Sequence, residues 1–242
     1  PIEEIVFGNS DDDRTYLGQT QWTQPAIFAI QIALTKFWKS VGIEPTMAIG
    51  HSVGEIAAAH ITGVIDLNDA ARLVSLRGKL MGQLSSGGLM ASLELPASET
   101  QNLILSLNLS DQVEIAGENS PRQTVVSGDE DGVNTLLTAL AKQKLRGKKL
   151  EVSHAFHSFR MNPMLDEFKL GVSHLTYSRP SITFISGLDG SSVSDSVAMS
   201  DYWVKQARRA VKFTNAVQTS RELGANVYVE IGPGITLCGL GA

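Results

Sequence analysis

The chain is poor in cysteine, in aromatic residues and in long apolar runs. Cys238 is the only cysteine among 242 residues, which excludes an internal disulfide and is compatible with a reducing compartment, so we expect a cytoplasmic location and a small, buried Cys238 side chain. No signal peptide and no run of about 18 apolar residues is present, so nothing indicates export or a membrane span. The net charge of −5 argues against a general nucleic-acid surface, and a hydrophobic fraction of 43% is ordinary for a domain with a core.

The most informative segment is the run Gly50-His51-Ser52-Val53-Gly54. An apolar strand precedes it and an apolar helix follows, which is the context of a nucleophile elbow. Glycines flank the serine because the tight turn leaves no room for side chains. Backbone N–H groups at the helix start could stabilise an oxyanion. A glycine-rich turn that contains a serine by chance is the alternative.

Hydrophobic periodicity divides the chain into two kinds of structure. Residues 1–85 and 153–242 alternate helices with short apolar strands and predict an α/β-hydrolase-like domain with a parallel sheet. Residues 86–152 follow the order strand-helix-strand-strand-helix-strand, which predicts an inserted ferredoxin-like (βαββαβ) small subdomain. The acidic residues at 11–13 predict a loop over 8–20. The strands predicted for the parallel sheet are 46–50, 182–186 and 227–230.

A serine hydroxyl needs a base before it becomes a good nucleophile, and histidine is the usual base. His51 is adjacent to the serine, but we expect its side chain to point away. His60 lies two turns along the next helix, and His174 ends another helix. His154 and His157 remain, in the loop where the inserted unit rejoins the main domain and a cleft would form. The residues alone do not choose between these two, and a surface loop with two histidines is the alternative.

Six segments in order resemble the malonyl-CoA:acyl-carrier-protein acyltransferase domains of fatty-acid and polyketide synthases. The resemblance runs over nearly the whole chain, and the HAFH segment favours a modular type I polyketide synthase. The segments are Thr23-Gln24-Pro25-Ala26, Gly50-His51-Ser52-Val53-Gly54-Glu55, Arg77 in its helix, Asn119-Ser120-Pro121, His154-Ala155-Phe156-His157 and Glu230-Ile231-Gly232-Pro233-Gly234.

The resemblance implies a role for each matching residue. Ser52 would be the acylated nucleophile, and His157 would act first as general base and then as general acid. A backbone carbonyl, placed by the alignment at Gln206, would orient His157, and the Val53 N–H would be an oxyanion donor. Arg77 would bind the free carboxylate of the malonyl group, for which a bidentate guanidinium is well suited; without the resemblance we would interpret it as a surface charge. Further residues expected at the substrate are Gln24, His154, Phe156 and Asn119.

Phe156 bears on the choice of extender unit. In the family, HAFH accompanies malonyl selection, and a phenylalanine would fill the space that the α-methyl branch of methylmalonyl needs. One methyl group discriminates by about 1–3 kcal/mol, so we expect a preference for malonyl that is not absolute.

The chain departs from the family pattern before residue 20, where no Gly-Gln-Gly segment is found. In the family the glutamine of that segment is a second oxyanion donor, and loss of one donor commonly costs about 100- to 1,000-fold in rate. We therefore expect an N-terminally incomplete domain, with Val53 as its oxyanion donor. A serine thioesterase or hydrolase, and an inactive acyltransferase fragment, remain alternatives.

The implied substrates and partners are malonyl-CoA, an acyl carrier protein and a flanking ketosynthase domain, with no bound cofactor, no metal, no nucleic acid and no membrane. Coenzyme A thioester is a substrate in this interpretation. Coenzyme A and carrier proteins are anionic, and two basic groups could steer them, although a solvated charged surface is the simpler interpretation of any single lysine. The basic groups are Lys142, Lys144, Arg146, Lys148 and Lys149, and Lys205, Arg208, Arg209 and Lys212.

Overall fold

A computed structural model describes residues 2–8 and 15–241, which form a mixed α/β structure with two separate sheets. The helices are α1 (Ile2–Phe7), α2 (Thr20–Ser40), α3 (Gly54–Ile61), α4 (Leu67–Gly82), α5 (Ala97–Ser106), α6 (Glu130–Lys142), α7 (Leu165–Val172), α8 (Ser200–Arg208), α9 (Phe213–Glu222) and α10 (Thr236–Gly241). The strands are β1 (Met47–Ile49), β2 (Gly88–Leu93), β3 (Val113–Ser120), β4 (Gln123–Asp129), β5 (Gly147–Lys149) and β6 (Thr183–Ile185).

Strands β1 and β6 form a parallel pair, with Met47 opposite Thr183 and Ile49 opposite Ile185. Because both strands run in the same direction, the residues that follow them meet at one edge of the sheet, where ligand sites of parallel sheets form. The helices α2, α3, α4, α7 and α8 pack around a common core that includes Phe184 and Trp203. The edge of the parallel sheet is therefore supported by a well-packed core.

The third predicted parallel strand, 227–230, is not a strand in the structure. Val227 is 77% exposed, and within the described residues this segment has no ladder partner. Alternation of apolar residues indicates extended backbone, but a strand also needs a neighbour for its N–H and C=O groups. The parallel sheet of the described residues therefore has two strands rather than three.

The second sheet is antiparallel, with the strand order β3-β4-β2-β5. The helices α5 and α6 pack on one face, around a separate core that includes Leu93, Ile104, Val126 and Leu136. This strand order is the one expected for a βαββαβ ferredoxin-like unit. The fold class predicted from the sequence is confirmed, and the subdomain boundaries at 85 and 153 stay a prediction.

Helix α2 begins at Thr20, so Pro25 lies inside it. Asp66 caps α4, because its carboxylate accepts a hydrogen bond from the Asp69 N–H at 2.8 Å. Cys238 is exposed, so the expectation that it is buried was wrong.

The loop predicted over 8–20 is only partly described. Residues 15–17 form a helical turn, and residues 9–14 lie outside the described part of the chain. None of the helices described is both long and apolar enough to cross a bilayer.

Candidate active site

The strand β1, a tight turn and helix α3 place Ser52 at the edge of the parallel sheet. Ser52 has φ of +52°, a left-handed conformation that is strained for a residue with a side chain. A Cβ atom at Gly50 would lie 2.1 Å from the Glu55 Cα atom, so only glycine fits there. The turn therefore requires Gly50 and holds Ser52 in the geometry of a nucleophile elbow.

Ser52 and His157 are in direct contact. The Ser52 Oγ atom lies 2.7 Å from His157 Nε2, and His157 Nδ1 lies 2.8 Å from the Arg209 backbone oxygen. A carbonyl oxygen can only accept, so Nδ1 carries the ring proton and a neutral His157 presents the lone pair of Nε2 to the serine hydroxyl. This is the tautomer that a general base needs.

The carbonyl that faces His157 corrects the expectation for Gln206. The alignment placed the orienting carbonyl at Gln206, whereas the structure has it at Arg209, three residues further along. Residues 206 and 209 lie on either side of the end of α8, and the carbonyl of Arg209, the residue after the last turn, is free of helix bonding and can accept from a side chain. The side chain of Gln206 instead contacts the elbow.

Burial and charge keep His157 neutral. Burial is the largest effect, and the positive charge of Arg77 adds to it, so the pKa of His157 falls to about 3. The hydrogen bond to the Arg209 carbonyl acts in the opposite direction and is weaker. His157 is therefore an acceptor at every pH near neutrality.

Arg77 is a buried cation beside the serine. Its side chain is in α4, 2% exposed, and donates from one terminal nitrogen to the Gln24 Oε1 atom and from the other to Ser52 Oγ at 3.2 Å. Its Nε–H is buried without an acceptor, and no carboxylate of the described residues lies within ion-pair distance of it. Burial lowers the pKa of Arg77 to about 10, so the guanidinium remains charged.

Glu55 joins three parts of the site. This carboxylate, 1% exposed, accepts hydrogen bonds from the Gly187 N–H at 2.8 Å, from the Tyr202 hydroxyl and from the Gln206 amide nitrogen at 3.0 Å. Burial outweighs these donors and raises the pKa of Glu55 to about 7. Glu55 thus ties the first turn of α3 to the end of β6 and to α8.

The remaining predicted residues lie around this centre, each with a contact of its own. His51 points away from the serine as expected and donates from Nε2 to the Asn119 Oδ1 atom at 2.8 Å. His154 donates to the Leu84 carbonyl oxygen at 3.2 Å. Phe156 is partly buried and packs against both the large core and the cluster formed by Met90, Ala116 and Val125. Asn119 and His154 therefore have protein partners, and Phe156 lies between the two sheets.

Of the second basic group, two of the four cations form ion pairs within the protein. Arg208 pairs with Glu114 at 2.8 Å and Lys212 pairs with Glu118, both on β3. The cations of the first group are exposed at the end of α6, in the turn that follows and on β5, and Arg146 pairs with Glu94 at 3.9 Å. Lys205 and Arg209 of the second group are exposed as well, so both groups present basic side chains at the surface.

Sequence reasoning missed Glu55, Tyr202 and Arg209. Glu55 stands in the elbow motif itself, directly after Gly54, and a charged residue in an otherwise apolar helix was the available signal. For Arg209 no signal was available, because a residue of any type can supply a backbone carbonyl. In the described ranges no three His, Cys, Asp or Glu side chains are grouped so as to hold a metal ion.

Comparison with known proteins decides the family. The model of the acyl transferase domain family matches residues 3–238. The chain belongs to this family. This acyl transferase domain is 42% identical, over its whole length, to part of the PKS-NRPS hybrid synthetase acdB of Aspergillus candidus, and 44% identical to part of the polyketide synthase GfsB of Streptomyces halstedii. It spans 10% and 4% of those two proteins.

Solved structures of acyl transferase domains have the same fold. The acyltransferase domain from the second module of the salinomycin polyketide synthase superimposes with a TM-score of 0.93 at 38% identity, over 99% of this chain and 55% of that one. FabD from Acinetobacter baumannii gives a TM-score of 0.87 at 30% identity, over 93% of this chain and 74% of that one. This chain is an acyltransferase domain of the type found in polyketide synthases and in FabD.

Proposed function

We propose that this acyltransferase moves a malonyl group from coenzyme A, through an ester on Ser52, to the phosphopantetheine thiol of an acyl carrier protein. The observation that carries the proposal is the buried, charged Arg77 guanidinium, which contacts the Ser52 hydroxyl and has no carboxylate partner among the described residues. A buried cation without a counter-ion is costly. An acyl group with its own carboxylate supplies that counter-ion next to the reacting hydroxyl.

The site supports acylation of Ser52 in two steps. The hydroxyl gives its proton to His157 Nε2 while Oγ attacks the thioester carbonyl carbon, and the negative charge moves to the carbonyl oxygen. The Val53 N–H at the start of α3 is the proposed donor to this oxyanion. When the intermediate collapses, the C–S bond breaks, and the coenzyme A sulfur leaves with the proton from His157.

The second half-reaction reverses these roles. The carrier thiol gives its proton to His157 Nε2, and its sulfur attacks the ester carbonyl. The C–O bond to Ser52 then breaks, and Oγ recovers the proton from the imidazole. Burial of the imidazole favours the return of the proton in each half-reaction, because desolvation disfavours the charged form of the ring.

The positions of Phe156 and of the basic group on β5 support two further assignments. Phe156 packs at the junction of the two sheets, beside the loop that carries His157, and we propose that it limits the space for an α-branch on the acyl group. The exposed basic group on β5 is the surface to which we assign an anionic carrier or coenzyme A. A flanking ketosynthase remains part of this proposal, since the relatives named above are synthases of which the chain matches a small part.

The test is the covalent intermediate. Incubation with malonyl-CoA should add the mass of one malonyl group to the intact protein, located at Ser52 by peptide mapping. Ser52→Ala should abolish the adduct, whereas Ser106→Ala, at an exposed serine of α5, should keep it. Transfer to a carrier protein in excess of free malonate release supports a transferase. Release of free malonate alone, or a wild-type protein without adduct, contradicts the proposal.

A further inference from the structure

The Gln206 side chain reaches the backbone of the elbow rather than the histidine. Its amide nitrogen donates to the Ser52 carbonyl oxygen at 2.7 Å and to the Glu55 Oε2 atom at 3.0 Å. Gln206 is 3% exposed, so both amide hydrogens are used in a site without competing solvent. This contact holds one particular peptide unit of the elbow in place.

That peptide unit carries the proposed oxyanion donor. The Ser52 carbonyl and the Val53 N–H belong to one planar trans peptide, so they point in opposite directions and rotate together. Within the described part of the chain the Val53 N–H has no hydrogen-bond acceptor, while the Ser52 carbonyl also accepts from the Glu55 N–H at 3.1 Å. Fixing the carbonyl therefore fixes the direction of the free N–H.

From this geometry we infer that Gln206 is a positioning residue that aims the Val53 N–H at the oxyanion of the acylation reaction; the inference rests on the proposed function. Ser52 is at φ of +52°, a strained conformation, and without Gln206 its carbonyl would keep the bond from the Glu55 N–H but lose its side-chain donor. The Glu55 carboxylate holds the Gln206 amide, and it is itself held by hydrogen bonds from Tyr202 and Gly187.

The support for Gln206 is rigid because it comes from two elements. Tyr202 and Gln206 are four residues apart on α8 and therefore face the same side. Both donate to the Glu55 carboxylate, which also accepts from the Gly187 N–H at 2.8 Å at the end of β6. The Tyr202 hydroxyl lies 2.8 Å from the Ser186 hydroxyl. A donor placed by such a network loses little orientation during the reaction, which is what an oxyanion site requires.

A structural role and a positioning role predict different kinetics. If Gln206 only satisfies the buried Glu55 carboxylate, its loss lowers stability and leaves the rate constant of acylation unchanged in the folded protein. If it aims the Val53 N–H, its loss lowers the acylation rate constant and leaves substrate affinity unchanged, because the Arg77 guanidinium proposed to bind the acyl carboxylate is untouched.

The experiment replaces Gln206 by Met, which has nearly the same shape and cannot donate. Single-turnover acylation of Ser52 by malonyl-CoA should slow by about 10- to 100-fold, less than for complete loss of a donor, with the Kd for malonyl-CoA within twofold of wild type. The matched control is Gln123→Met, which removes one amide hydrogen bond, to the Ser92 hydroxyl at 3.0 Å, in the antiparallel sheet. Gln206→Asn, which keeps the amide but withdraws it, should give an intermediate loss and serves if the Met variant does not fold.

Two further measurements separate this inference from the proposed function. Phosphonylation of Ser52 by a fluorophosphonate also builds charge on an oxygen, needs no malonyl group, and should slow in the Gln206 variants even if malonyl is the wrong substrate. The infrared band of the ester carbonyl on Ser52 should move to higher wavenumber as its hydrogen bond from Val53 weakens. Wild-type rates of both acylation and phosphonylation in folded variants would overturn the inference.

Discussion

Replacement of Arg77 by Gln tests whether the buried cation recognises the carboxylate of the acyl group. The side chain is 2% exposed, and among the described residues the charge that raises its pKa is that of Glu55, which is outside ion-pair distance. Two opposite charges about 4 Å apart attract each other by about 4 kcal/mol at the effective dielectric of about 20 that suits protein sites. That energy corresponds to a loss of about 1,000-fold in kcat/KM for malonyl-CoA.

The assay compares malonyl-CoA with acetyl-CoA, which differs by the carboxylate alone. We expect kcat/KM for acetyl-CoA not to fall, because the variant removes a guanidinium that in the free enzyme donates to Ser52 Oγ at 3.2 Å. The neutral side chain also removes the charge that lowers the pKa of His157. The preference for malonyl over acetyl should therefore collapse by about three orders of magnitude.

Arg72→Gln is the matched control, since Arg72 lies on the same helix and its side chain is 73% exposed. It should leave both rates within twofold of wild type. Equal losses for malonyl-CoA and acetyl-CoA in Arg77→Gln would refute the reasoning, because they would mean that Arg77 acts on the serine and not on the acyl carboxylate.

Two further predictions concern Glu55 and Gly50. The pKa of Glu55 is raised from 4.5 to about 7, so the folded state binds the proton more tightly and loses about 3 kcal/mol of stability as the pH rises through this window. Glu55→Gln should remove this loss, so the unfolding free energy of the wild type relative to the variant should fall between pH 5 and pH 8. Urea titrations that give the same difference at both pH values would contradict the prediction. Gly50→Ala should abolish phosphonylation of Ser52, because the new Cβ would lie 2.1 Å from the Glu55 Cα. The control Gly239→Ala, which has open space around it, should leave the labelling rate unchanged. Labelling of the Gly50 variant at the wild-type rate would show that the turn tolerates a side chain.

The elbow could be predicted from the sequence because its determinants are local. The apolar strand, the two glycines and the apolar helix are contiguous, and each has a short-range physical reason. The antiparallel sheet was predictable for a similar reason, since six segments in the order strand-helix-strand-strand-helix-strand follow one another within about 65 residues, and this order restricts the topology.

Contacts between distant segments could not be predicted in the same way. The carbonyl that faces His157 comes from Arg209, because the exact end of α8 decides which carbonyl is free, and helix ends are the least predictable part of a helix. The side chain of Gln206 was given no role, because its contact with Ser52 spans 154 positions of the chain. The segment 227–230 was predicted as a strand from its own composition, although pairing depends on what lies beside it.

The two reacting residues share a backbone feature, which the elbow motif predicts for Ser52 but no pattern of residue types predicts for His157. Ser52 and His157 both have positive φ, +52° and +56°, and such strain costs about 1–3 kcal/mol for each non-glycine residue. Strain of this kind persists only where the surroundings fix the residue: the Gln206 amide holds the Ser52 carbonyl, and the Arg209 carbonyl holds the His157 ring. Both supports come from α8 and the residue that follows it. The distance of 2.7 Å between the serine oxygen and the imidazole nitrogen is therefore set by the packing of α8 against the elbow, and the core around Trp203 positions the nucleophile and its base together.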